Sequence, residues 1–172
     1  LMLSTWREYW QNLGGRESDA YQALNVKYLI ARDGTPLPAN FSLAFDAPGE
    51  LAIFMNAARW PRAWLEGQDG SGYDPTRPPV VVEEYGSSYI RLRAAPEEPT
   101  SLALSEVAYP GWEVRVDGTP TQELPPRDRL LRRVALPAGE HTVEFEYRPG
   151  RFSSGLLLAL LGGVLTIMLL LI

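Results

Sequence analysis

The chain contains no cysteine and only one histidine, His141. The first absence excludes disulfides and thiolate metal sites. The lone histidine stands beside Glu140 and Thr142 at the mouth of a strand pattern, and reads as a surface turn residue rather than a catalytic base. Basic charge is also short. Sixteen Lys and Arg against 21 Asp and Glu leave a net charge of −5. No broad basic face can neutralise phosphates, so nucleic acid is excluded as a partner. The sequence carries no Gly-x-Ser-x-Gly elbow and no phosphate-cradling glycine loop, which leaves a hydrolase serine and the common nucleotide sites unsupported. Glu83 and Glu84 are strand neighbours and point to opposite faces, while Glu97 and Glu98 sit between Pro96 and Pro99 as a solvated turn. No catalytic residue, cofactor site or metal site is assigned. The opening "LMLSTWREYW" lacks a basic start followed by an apolar run and reads as no signal peptide.

Fifteen Gly and 15 Pro point to many turns and away from an all-helical fold. Residues 1–24 read as a helical lead-in. Trp6, Tyr9, Trp10 and Leu13 recur at helical spacing and make one aromatic face, suited either to the domain or to a membrane interface; Gly14-Gly15 ends the helix. Asp19 and Gln22 stand three apart, as in a capping box. From residue 25 to 151 the text is β-rich. Strands are expected near 26–30, 41–45 and 51–56, and Pro61 demotes the next stretch to an edge strand or extended link. Residues 66–79, "EGQDGSGYDPTRPP", read as a flexible loop, and their acidic residues lack the ligand spacing of a calcium loop.

Beyond Val80 the alternation is regular. Ile90, Leu92 and Ala94 oppose Tyr89, Arg91 and Arg93; Leu102 and Leu104 oppose Ser101, Ala103 and Ser105. Val114 and Val116 share a face, Asp117-Gly118 marks a tight hairpin, and Val143, Phe145 and Tyr147 point inward. Short alternating strands with frequent turns predict a mainly β fold, a β-sandwich or jelly-roll. Its aromatics are expected to fill the core and its arginines to coat the outer faces. Within this frame "YPGWEVRVDG" is first a turn and a hairpin. Its Tyr109, Trp112 and Arg115 are the candidate glycan contacts, because aromatic faces and guanidinium forks suit a sugar or anionic glycan.

The last 21 residues, "FSSGLLLALLGGVLTIMLLLI" from 152 to 172, carry no charge. A helix of that length reaches roughly 30 Å, enough to cross a bilayer, and the segment is expected to be a transmembrane helix. With nothing framing that helix, the chain reads as part of a longer protein.

Four blocks in order, "ALNVKYLIARDG" (23–34), "WPRAWL" (60–65), "LSEVAYPGWEVRVDG" (104–118) and "VALPAGEHTVEFEYRPGRFSSG" (134–155), resemble the C-terminal region of YfhO-type bacterial membrane proteins, which look like GT-C-type glycosyltransferases. The resemblance implies upstream membrane helices, an extracytoplasmic β-domain at the bacterial cell membrane, and a closing membrane helix. It also implies transfer of a sugar from a polyprenyl-phosphate donor to a cell-envelope acceptor. The implied partners are the lipid bilayer, the upstream helices, and an envelope glycan or polyprenyl-linked sugar. Catalytic acids of such enzymes lie in an early loop, so none carries over to this chain. Trp60 in "WPRA", Ala108 and the 66–79 loop depart from the pattern. Arg148 and Arg151 alone would favour a cytoplasmic domain, but large domains translocate largely regardless of charge. The alternative from the residues themselves is a stand-alone, membrane-anchored carbohydrate-binding module.

Overall fold

A computed structural model describes residues 2–168 except 33, 47–50, 68, 69, 71, 129, 150–154, 156, 157, 164 and 165. The chain opens with α1 (Met2–Gln11) and a single turn, α2 (Asp19–Gln22). Among the described residues eleven strands follow: β1 (Tyr28–Arg32), β2 (Phe41–Asp46), β3 (Leu51–Asn56), β4 (Ala63–Leu65), β5 (Val81–Tyr85), β6 (Tyr89–Ala94), β7 (Thr100–Val107), β8 (Trp112–Val116), β9 (Thr119–Thr121), β10 (Leu131–Leu136) and β11 (His141–Tyr147). The fold is mainly β, as the alternation predicts.

Two antiparallel sheets make a sandwich. One has the order β10-β7-β4, the other β5-β6-β11-β8-β9. Their facing side chains form one core: Ala63, Leu65, Leu102, Leu104, Val134 and Leu136 against Ile90, Leu92, Val114, Val143 and Phe145. Alternation places these residues inward because each strand points every second side chain to the same face. The outer face of the large sheet behaves as expected. There Arg91 and Arg93 meet Glu83, and Tyr89 donates to Glu144 at 2.6 Å.

The outer face of the small sheet does not face water. Trp64, Ala103 and Leu131 lie under Tyr9, Leu13, Tyr21 and Trp60 in a second core. Opposite Leu102 and Leu104, Ala103 is buried in this second core, and Ser105 is buried as well. The edge strand expected after Pro61 is β4, yet both of its faces are covered. The aromatic face of α1 divides: Tyr9 and Leu13 go into this core, while Trp6 and Trp10 stay exposed and stack on each other. The capping residue of α2 is Ser18, whose hydroxyl accepts from the Tyr21 N–H, and not Asp19; Gln22 turns inward to Asn56 instead of back to the cap.

Strands β1, β3 and β2 form a third, separate antiparallel sheet, so the β-region is a sandwich plus an appended sheet. Buried Asn56 ties the appended sheet to α2. Its amide donates to Gln22 Oε1 at 2.8 Å and to the Val26 carbonyl, and its Oδ1 accepts from Asn40 and from the Ala58 N–H.

The strand registers bring several chain positions to one end of the sandwich. Tyr147 pairs with Trp112, Glu146 with Tyr89 and Leu131 with Val107, while Ala63, which begins β4, pairs with Leu104 near the end of β7. The chain thus enters from the appended sheet and leaves after β11 at the same end. At the far end lies the Pro137–Gly139 turn, with Gly139 at φ 120°. Of the apolar stretch 152–172, Gly155, 158–163 and 166–168 are helical and the rest lies outside the described residues. Among the described residues no helix is long and apolar enough to cross a membrane.

The β8–β9 hairpin turns through Asp117 (φ 52°) and Gly118 (φ 76°), the left-handed pair that an Asp-Gly turn favours. The Asp117 carboxylate accepts from His141 Nδ1 at 2.7 Å and from the Thr142 N–H at 2.9 Å. The carboxylate only accepts, so Nδ1 carries the proton. The lone histidine is thereby a tie between strands. These bonds, that from His141 foremost, hold the Asp117 carboxyl below its ordinary value. A depressed folded-state pKa contributes stability above the unfolded value and loses it as pH falls through the folded value. Asp117→Asn keeps a residue suited to positive φ and removes that contribution. Its urea midpoint should lie below the parent's at pH 6, with the gap closing toward pH 2. In the shared core, Leu104→Ala should cost about 2–5 kcal/mol in urea unfolding followed by tryptophan fluorescence, with the slope unchanged.

Candidate functional site

The end of the sandwich where the chain leaves β11 carries a cluster of aromatic rings around a buried guanidinium. In β10 the residues Arg132, Val134 and Leu136 share the inward parity, so Arg132 enters the end of the core and is only 2 % exposed. Its guanidinium lies over Trp112 at 4.9 Å and Phe145 at 5.8 Å, cation–π geometry for both rings. Arg132 Nη1 bonds the Glu123 carboxylate and Nη2 donates to the Tyr109 carbonyl at 3.1 Å. Burial pushes the Glu123 carboxyl up despite Arg132, and lowers Arg132 despite Glu123. Each charge is held out of water and compensated mainly by the other. The expectation that arginines coat the outer faces fails here.

Trp112 also packs on Tyr147 at 5.5 Å, and Tyr147 on Tyr109 at 6.4 Å. Gly111, at φ 100°, lets the backbone pass under this pair, where a Cβ would stand 3.0 Å from the Tyr147 ring. Beside the cluster an open cleft of about 310 Å³ runs along the β8–β9 edge, walled by Trp112, Arg115, Thr121, Gln122 and Glu123.

The three residues singled out from sequence thus occupy related but different places. Trp112 and Arg115 line the cleft together. Tyr109 stands exposed on the other side of Tyr147 and contributes its carbonyl to Arg132. Trp112 has spent much of its ring on Arg132 and Tyr147. The exposed ring of Tyr109 is therefore the freer stacking surface, and Arg115 is the basic residue among those lining the cleft. Sequence reasoning missed Arg132, Glu123 and Tyr147 as members of this group. Parity in "LLRRVAL" places an arginine among inward positions and was the available signal.

A second ionic cluster lies across the small sheet. Glu66 is 1 % exposed and meets Arg127 Nη1 at 3.0 Å and Arg133 Nε at 2.7 Å. Arg127 also lies over Trp60 at 5.6 Å and donates to the Gly70 carbonyl at 2.9 Å. The flexible-loop reading of 66–79 needs correction at its ends. Glu66 is an internal anchor, Glu66 bridges to Tyr73, and Gly72 sits so close to Trp60 that a Cβ would come within 2.5 Å of the ring. Asp69 and Ser71 lie outside the described residues. Asp74 binds Thr76 through both its N–H and its hydroxyl, a local turn. This cluster is closed and structural; the open cleft at the aromatic end is the candidate site.

Comparison of the chain with protein-family models, curated proteins and solved structures matched none of them.

Replacing Glu66 by Gln leaves two guanidinium groups facing a neutral amide. Glu66→Gln should cost about 3 kcal/mol, the lower end for breaking a buried pair because both arginines also reach water. Thermal unfolding checks this, and Glu66→Gln combined with Arg133→Met should recover part of the loss.

Proposed function

We propose that this chain is the non-catalytic, extracytoplasmic β-domain and following membrane helix of a polytopic, YfhO-type bacterial membrane protein that transfers sugar from a polyprenyl-phosphate donor to the cell envelope. The reading rests on one observation: the uncharged stretch 152–172 follows β11 at the same end of the sandwich as the aromatic–arginine cleft. A bilayer crossed by that stretch would lie beneath this end. A lipid-linked sugar, or the glycan accepting it, would then meet Tyr109 and Trp112 first, with Arg115 further along the β8–β9 edge. The order of the four sequence blocks supports the same reading. The domain supplies contact and shape on the acceptor side, and the chemistry belongs to upstream residues.

A stand-alone, membrane-anchored carbohydrate-binding module is the second reading. It is favoured by the cleft itself, whose lining includes an aromatic residue, an arginine, a glutamine and a threonine. An antibody to residues 1–150, used on membranes of the source cells, separates the two. A band far above the mass of 172 residues supports the polytopic protein, and a band at that mass supports the module. In the polytopic case, Arg115→Ala should lower sugar incorporation in isolated membranes by roughly 10- to 100-fold, the loss of one charge-assisted hydrogen bond of about 1.5–3 kcal/mol. Unchanged incorporation at unchanged protein level would remove Arg115 from the site.

A further inference from the structure

The appended sheet presents an apolar face that nothing in the described chain covers. The registers Tyr28↔Met55, Ile30↔Ile53, Arg32↔Leu51 and Phe45↔Ile53 put Tyr28, Ile30, Phe45, Leu51, Ile53 and Met55 on one side. Tyr28 is 51 % exposed, Ile30 65 %, Phe45 57 % and Leu51 52 %. A strand pair normally buries one face and wets the other with polar residues. Here the open face, which also holds Arg32 and Ser42, carries six large apolar side chains, and a patch of that kind marks an interaction surface.

The surroundings of this face identify the occupant. Cations border it: Lys27 Nζ sits over the Tyr28 ring at 5.1 Å, and Arg32 stands opposite Leu51. No described residue on this face is acidic. Aliphatic and aromatic side chains flanked by Lys27 and Arg32 match the interfacial layer of a bilayer, where apolar groups enter the acyl boundary and cations meet phosphates. The sheet also joins the sandwich at the end from which the apolar stretch departs. Arg62, just beyond the link, binds Glu106 at 3.1 Å and lies over Tyr85 at 5.2 Å; the Gly86 N–H donates to the Tyr89 carbonyl, and the Tyr147 N–H to the Ser88 carbonyl. Those contacts run from the root of the sheet to the exit of β11. The exposed Trp6 and Trp10 of α1 are the residue type that interfaces favour. Asn56, bonded on every side, holds the sheet to α2, so the face is carried on a fixed element.

We infer that the exposed face of the β1-β3-β2 sheet docks flat on the lipid surface beside the membrane helix, making a second, peripheral contact with the bilayer. This rests on the membrane-anchored reading of residues 152–172. A second contact fixes the tilt of the sandwich, and hence the height of the Tyr109–Trp112–Arg115 region above the lipid.

The absence of cysteine allows a direct test in the full chain. Four single-cysteine variants, Ile30→Cys, Phe45→Cys, Ala138→Cys and Leu160→Cys, are labelled with an environment-sensitive fluorophore and reconstituted in phosphatidylcholine–phosphatidylglycerol vesicles. Labels at 30 and 45 should shift to the blue, lose intensity to doxyl lipids and resist aqueous iodide, while the label at 138, on the opposite end of the sandwich, does the reverse. If 30 and 45 are open to iodide and untouched by doxyl lipid while 160 is quenched, the anchor stands and the docking face is overturned. If 30 and 45 are shielded from iodide without lipid quenching, protein covers the face and the proposal fails. Quenching at 30 and 45 without quenching at 160 keeps the docking face and removes the anchor; quenching at none removes both.

Discussion

Strand β7 must bury both of its faces, and the rest of the molecule is arranged around that demand. Leu102 and Leu104 belong to the core between the sheets, and Ala103 to the core beneath α1 and Trp60. A three-stranded sheet closed on both sides has no wet face on which to leave charged side chains. The charged residues it carries must find partners inside. Two consecutive residues of β10 show how this is done. Arg132 points into the sandwich and takes Glu123; Arg133 points the other way and takes Glu66. Neighbours on one strand therefore anchor two separate layers.

Neither pair is evidence of large net stability, because desolvation offsets much of the attraction. Their effect is positional. Glu66 fixes where the segment after β4 leaves the sheet, and where Arg127 and Trp60 stack above it. Glu123 fixes the segment after β9 against the end of the core, and so shapes one wall of the cleft. This open polar wall of the sandwich thus borrows its form from a closed ionic contact behind it.

Much of this architecture was legible from alternation alone. The inward sets Ile90–Leu92–Ala94, Val114–Val116 and Val143–Phe145, and the Asp117-Gly118 hairpin, follow from period-two patterning and turn chemistry. Partners far apart in the chain were not legible. Glu66 and Arg133 are separated by 67 positions, and local patterning carries no information about that pairing. The burial of Ala103 and Ser105 was hidden for a related reason: small residues look solvent-tolerant until another element is laid over them. The apolar two-sidedness of "YLIAR" and "LAIFMN" was visible as composition, but which face stays open depends on register and on what packs behind. At the candidate site the aromatics were found because residue type marks them, whereas Arg132 was missed because strand parity was not applied to a charged residue.

Strand β11 lies at the centre of the five-stranded sheet, between β6 and β8, although it is the last strand among the described residues. The large sheet is therefore two unconnected halves until residues 141–147 arrive. Synthesis order and assembly order run opposite ways: β6 and β7 appear early with their leucines uncovered, and closure waits for the segment just before the apolar stretch. Such sequence-distant pairing makes for slow folding, since loop entropy is spent before contacts return it. The interval before closure is when this domain is most open to mispairing, and whatever escorts the nascent chain has to hold it until β11 is in place.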